Sequence, residues 1–120
     1  MDVAANVVVG LVAALHVWFL VLEMFLWRTP KGLATFGMSA EQAEATATLA
    51  ANQGLYNGFL AAGLVWSIVA SEKMGLHAAV FFLSCVIIAG LYGAATVSRR
   101  ILYVQAVPAA IALALTLAAA

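Results

Sequence analysis

Charge is what this sequence has least of. Only 8% of its 120 residues are Asp, Glu, Lys or Arg, and five basic and five acidic side chains cancel to a formal net charge of zero. A soluble domain typically carries about 25% charged residues, so there are too few here to cover an aqueous surface. The same scarcity excludes a nucleic-acid partner, which needs a basic patch to displace counterions. Cys85 is the single cysteine and permits neither an internal disulfide nor a CxxC site. HExxH, GxSxG, Walker loops and Cys/His clusters are all missing, which leaves metal chemistry and a nucleophilic serine nothing to build on. What is abundant is apolar: 67% of residues are hydrophobic, and the solvent that composition suits is lipid.

The apolar runs predict four membrane-crossing helices in one transmembrane domain over residues 1–120, at about 3–27, 40–70, 75–97 and 100–119. Residues 3–22 contain no charge, which meets the roughly 20 residues needed to cross about 30 Å of hydrocarbon. The start lacks the basic residues and short apolar run of a cleavable signal peptide, so the first helix is expected to be retained. Arg28-Thr29-Pro30-Lys31-Gly32 then reads as a break, with a loop to about Met38. Ser39 followed by Gln42 reads as a capping box at the start of the second helix, with Glu41 and Glu44 suited to its positive dipole end. Ser71-Glu72-Lys73-Met74-Gly75 makes a tight turn into the third helix, and Ser98-Arg99-Arg100 separates it from the fourth, which carries Pro108.

Orientation follows from the basic residues. Arg28, Lys31, Arg99 and Arg100 lie on one side and Lys73 on the other, which predicts an inner-membrane protein with the four-charge side in the cytoplasm and both termini outside. The polar side chains converge on that same side. Glu23 is about 7.5 Å inward of Arg28 at 1.5 Å per residue. Asn52, Gln53, Tyr56 and Asn57 occupy the first half of the second helix; Tyr92 and Thr96 end the third; Arg100, Tyr103 and Gln105 begin the fourth. Amides and carboxylates in lipid are costly unless paired or wetted. The two readings of this cluster are a cytoplasm-open ligand pocket and interhelical hydrogen bonds that hold the helices together. Glu23 is either a functional carboxylate or one half of an ion pair with Arg28 or Arg99. His16, two turns from it, reads as a buried neutral side chain. Gly54-x-x-x-Gly58 and Gly90-x-x-x-Ala94 are small-residue stripes suited to close helix contact.

Three stretches, His16 to Trp27, Asn52 to Leu64, and Ala89 to Thr96 with Val104 to Pro108, resemble the small bacterial membrane family labelled domain of unknown function 1304. A more distant resemblance is to the MAPEG (membrane-associated eicosanoid and glutathione metabolism) superfamily. It is carried by Asn52 with Phe59-Leu60-x-x-Gly63, and by Arg100-x-x-Tyr103-x-Gln105-x-x-Pro108. That resemblance implies an all-α four-helix bundle, a homotrimer, and ligand sites between subunits near the cytoplasmic face. It also implies glutathione or another thiol as cofactor. MAPEG proteins that bind glutathione place arginines before that Asn and a Glu three residues after it, whereas this chain has Leu49-Ala50-Ala51 and Leu55. The charged partners of the tripeptide are therefore missing.

Three functions are compatible with these features. The first is a MAPEG-like trimer binding a small amphipathic or anionic molecule through Glu23, Asn52, Gln53, Tyr56, Asn57, Tyr92, Arg99, Arg100, Tyr103 and Gln105, with transferase or isomerase chemistry if it is an enzyme. The second is a small proton-coupled transporter using Glu23. The third is a non-catalytic structural or partner subunit.

Overall fold

The computed structural model describes residues 1–120 and contains helices and no strand: α1 (Val3–Met24), α2 (Pro30–Phe36), α3 (Ala40–Val69), α4 (Glu72–Thr96), a π-helical turn (Leu102–Ala106) and α5 (Val107–Ala118). Each start has a local cause. The Asp2 carboxylate accepts the Ala5 N–H at 2.9 Å and opens α1. The capping box forms as read: the Ser39 N–H donates to Gln42 Oε1 at 2.9 Å, and the Gln42 N–H to Ser39 Oγ at 3.1 Å. Ser71 caps α4 by accepting the Met74 N–H at 3.4 Å, so this helix begins at Glu72 rather than near residue 75.

The segment expected as a loop up to Met38 contains α2. Pro30 and Gly32, which read as breakers, are helical here because Pro30 stands in the first turn, where its missing N–H costs nothing. Thr29 accepts the Gly32 N–H as N-cap, and Gly37, at φ 61° and ψ 41°, provides the left-handed C-cap that a side chain would disfavour. A second difference lies near residue 100, where a wide turn precedes α5. The Val107 N–H reaches back five residues to the Leu102 carbonyl. Pro108 has no N–H and its ring would crowd the carbonyl four residues earlier in a regular α-helix; the π-turn relieves both.

Two helices, α1 and α4, are long and apolar enough to cross a membrane, with 28% and 33% of their most apolar stretches buried within the chain. Core helices of soluble proteins are mostly buried, so those low shares leave two apolar surfaces suited to lipid. The run Leu102–Ala118 is apolar but shorter. α3 has 30 residues, about 45 Å of helix at 1.5 Å per residue.

By its contacts the chain divides into two compact units, Met1–Ala14 with Leu60–Ala120, and Leu15–Phe59. In the first, Val9, Val12 and Ala13 of α1, Leu64 of α3, Ala79, Leu83 and Val86 of α4, and Ala109 and Ala112 of α5 form one buried core. Small residues bring its backbones close: a Cβ on Gly90 would lie 2.8 Å from the Ala106 nitrogen, and one on Gly75 would strike the Ser67 carbonyl. Gly93 shares this duty with Gly90: a Cβ there would lie 3.0 Å from Ile101 Cγ2. In the second unit the end of α1 meets the first half of α3 across Gly54 and Gly58, where added Cβ atoms would lie 2.7 Å from Met24 Cγ and from Leu20 Cδ1. The Gly54-x-x-x-Gly58 stripe is thus a contact surface, as its spacing suggests.

Candidate functional site

In the unit Leu15–Phe59, Glu23 and Asn57 are brought together from 34 residues apart. Asn57 is buried and its Nδ2 donates to Glu23 Oε1 at 2.5 Å. The glycine notch explains the reach: with no side chain at Gly54, Met24 and Glu23 of α1 lie directly against α3. The ion pair weighed for Glu23 with Arg28 does not form. Arg28 NH1 instead bonds both oxygens of Glu44, at 3.2 and 3.3 Å, one turn into α3 on the exposed surface. The Trp27 indole N–H donates to Thr46 Oγ1 at 3.1 Å, and its ring lies 4.8 Å from that of Phe36. Trp27 and Arg28 therefore fasten the segment after α1 to the start of α3. His16 is fully buried, its ring edge-on to Phe19 at 5.3 Å.

The other polar residues singled out on α3 face away from this pair. Asn52, Gln53 and Tyr56 are exposed, with the Tyr56 ring set edge-on to Phe59 at 5.6 Å. They belong to an uncovered face that continues through Leu49, Leu55 and Phe59. Gln53 and Asn57 are four residues apart, a spacing that puts two side chains on one side of a helix, yet they part company: Asn57 lies in the helix contact and Gln53 outside it.

In the unit that ends at Ala120, Tyr92, Arg99, Arg100 and Tyr103 are exposed around the passage from α4 to the π-turn, and Gln105 is half-buried on that turn. The Thr96 hydroxyl donates to the Tyr92 carbonyl at 2.7 Å, and the Ser98 hydroxyl accepts the Arg100 N–H at 3.2 Å, which shapes the turn carrying the two arginines. Gly90 and Gly93 press α4 against Ala106 and Ile101, so Tyr103 and Gln105 stand on a wide turn held at close range. π-turns of this kind recur at functional sites. Pro108 was the available sequence signal for it, two residues beyond the turn.

Two cavities occur in this same unit at the opposite end of α4, and sequence reasoning missed both. One, of about 410 Å³, is lined by Leu76, Thr116 and Ala119 with Glu72 and Lys73; the other, of about 200 Å³, by Asn6, Ser67, Ser71 and Glu72. Their signal is tertiary, since the lining comes from helix ends far apart in the chain.

A family model described as "Protein of unknown function (DUF1304)" matches residues 10–117. A protein of Lactococcus lactis subsp. lactis (strain IL1403) bearing the name "Uncharacterized protein YpaA" is 31% identical over 103 residues, which span 83% of this chain and 86% of that protein. No solved structure matches.

Proposed function

The chain belongs to the DUF1304 family of proteins of unknown function, and from that premise we propose that it is a four-helix integral membrane protein that assembles as a MAPEG-like homotrimer and binds a small amphipathic or anionic ligand. α1, α3, α4 and α5 with its π-turn are the four crossings. Arg28, Lys31, Arg99 and Arg100 lie in the cytoplasmic loops of the inner membrane, with Lys73 and both termini outside.

The observation that carries this reading is the exposed face of α3. Asn52, Gln53 and Tyr56 lie uncovered on a helix whose surroundings in the membrane are hydrocarbon. Polar groups left there cost several kcal/mol unless covered, and a neighbouring copy of the chain covers them. Arg100, with Arg99, holds the anionic end of the ligand, and Tyr92 and Tyr103 supply hydrogen bonds to it. If the protein is an enzyme, the same phenols stabilise a thiolate or oxyanion during transfer or isomerisation on a lipophilic substrate. Glutathione is the poorer thiol, because Leu49, Ala50, Ala51 and Leu55 offer its charges no partner.

Native mass spectrometry of the detergent-extracted protein tests both parts. The expected result is a trimer with a retained small molecule that Arg100→Ala removes. A monomer, or an unchanged ligand profile in Arg100→Ala, overturns the reading.

One observation favours a second reading. The half-buried Glu23 carboxylate has an uncharged partner, Asn57, and its nearest basic candidate is engaged by Glu44. A membrane carboxylate without a fixed counter-ion suits proton-coupled exchange of a cation. Equal flux by wild-type and Glu23→Gln proteoliposomes removes that reading.

A further inference from the structure

The π-turn that accommodates Pro108 shifts the shortage of a donor onto Tyr103. In a regular α-helix the Tyr103 carbonyl would receive the Val107 N–H, and in a continued π-helix it would receive the N–H of residue 108. Here the Val107 N–H goes to the Leu102 carbonyl, and residue 108 is a proline with no N–H to give. The Tyr103 carbonyl therefore has no donor from its own helix, on a residue that is exposed. In hydrocarbon a backbone acceptor is costly to leave unmet.

Charge and apolar surface are laid out in order around this carbonyl. Arg99 and Arg100 stand just before the turn. The acidic side chains of the same unit, Asp2 and Glu72, lie at the starts of α1 and α4, an end where the Met1 amino group is 4.0 Å from Glu72. Since α4 has 25 residues, about 37 Å of helix separates the two ends, and the arginine end is basic. On its other side, Val107 and Ile111 are both exposed and four residues apart, an apolar stripe along α5. The unmet carbonyl lies between, about 4.5 Å inward of Arg100 at 1.5 Å per residue. Helical carbonyls point toward the C-terminal end, so this one opens toward the stripe and away from the arginines.

A ligand that fits this order has an anion at its outer end, a hydroxyl donor just inside it and an apolar chain beyond. A fatty acid has no such hydroxyl, a diacyl phospholipid has esterified it, and headgroup hydroxyls lie outward of the phosphate. We propose that the anionic amphiphile of the Arg99–Arg100 site is a monoacyl glycerophosphate. Arg99 and Arg100 hold its phosphate, the free glycerol hydroxyl beside the phosphate ester donates to the Tyr103 carbonyl, and the acyl chain lies along Val107 and Ile111. The proposal names the ligand class of the site around Arg100 and rests on that reading, but not on the trimer.

The test titrates the full chain in detergent with oleoyl lysophosphatidic acid, with its analogue bearing hydrogen in place of the glycerol hydroxyl, and with dioleoyl phosphatidic acid. Adducts are counted by native mass spectrometry. Wild type is expected to retain lysophosphatidic acid about tenfold better than either of the others. Arg99→Ala lowers retention of all three by about tenfold. Pro108→Ala returns an N–H that meets the carbonyl from within the helix, and it erases the preference for the hydroxyl without weakening retention of the deoxy analogue. Equal retention of lysophosphatidic acid and the deoxy analogue by wild type overturns the proposal, as does a preference that survives Pro108→Ala in a protein that melts like wild type. If the native ligand is still removed by Arg100→Ala in that event, the site stands and only the ligand class falls; if it is not, the reading of the site falls too.

Discussion

In the unit that joins Met1–Ala14 to Leu60–Ala120, the largest fully buried side chains are Val9, Val12, Leu64, Leu83 and Val86, with Thr116 as the polar exception; in Leu15–Phe59 they are Leu22 and His16. The first unit coheres through a continuous aliphatic core and backbones pressed together at Gly75 and Gly90. The second coheres through named polar pairs, Asn57 with Glu23, Trp27 with Thr46 and Arg28 with Glu44, around a smaller glycine contact. Apolar packing tolerates no added volume but is indifferent to which aliphatic group fills it. Hydrogen-bonded pairs depend on chemical identity and are worth more where water is excluded.

That contrast can be broken at graded positions, each read by chemical unfolding of the detergent-solubilised protein. The largest loss is expected for Gly90→Leu. Its Cβ would meet the Ala106 nitrogen at 2.8 Å, a backbone atom that cannot turn aside, so stability should fall by about 3 kcal/mol. Next comes Asn57→Leu, which strips the half-buried Glu23 carboxylate of its amide donor; about 2 kcal/mol is expected. The double change Glu23→Leu with Asn57→Leu should restore part of this, because neither partner is then left unpaired. If Gly90→Leu is the milder of the two single changes, the contrast between the units is wrong.

Thr29→Ala, which deletes the cap of α2, should cost about 1 kcal/mol, visible as faster amide exchange over residues 30–36 with α4 unaffected. Arg28→Ala is the smallest, within about 0.5 kcal/mol, since its pair with Glu44 is solvent-exposed. A loss much above that would show that Arg28 carries more than a surface ion pair.

What was legible in the sequence divides by range. The Ser39–Gln42 capping box was readable because both bonds close within three residues. The glycines at 54 and 58 were readable as a contact surface because an i,i+4 stripe stays on one face of any helix. α2 was not, since Pro30 and Gly32 break a helix in its interior but not in its first turn; the signals for it were Thr29 before them and Gly37 after. Glu23 was recognisable as a costly carboxylate, but proximity along the chain pointed to Arg28, whereas the partner supplied by the fold is Asn57, 34 residues away. Among the polar residues of α3, helical spacing could group Gln53 with Asn57 but could not say which would face α1.

Composition and periodicity by themselves determined that this chain is helical and that α1 and α4 are long and apolar enough to cross a bilayer. Those properties follow from solvation free energy and from 3.6-residue geometry, both local. The tertiary structure alone decided that Asn57 neutralises the demand of Glu23, that Asn52, Gln53 and Tyr56 are left uncovered, and that a partnerless Thr116 borders a cavity. The rotation and depth of one helix against another depend on how distant small and large side chains interlock, which no window along the sequence contains.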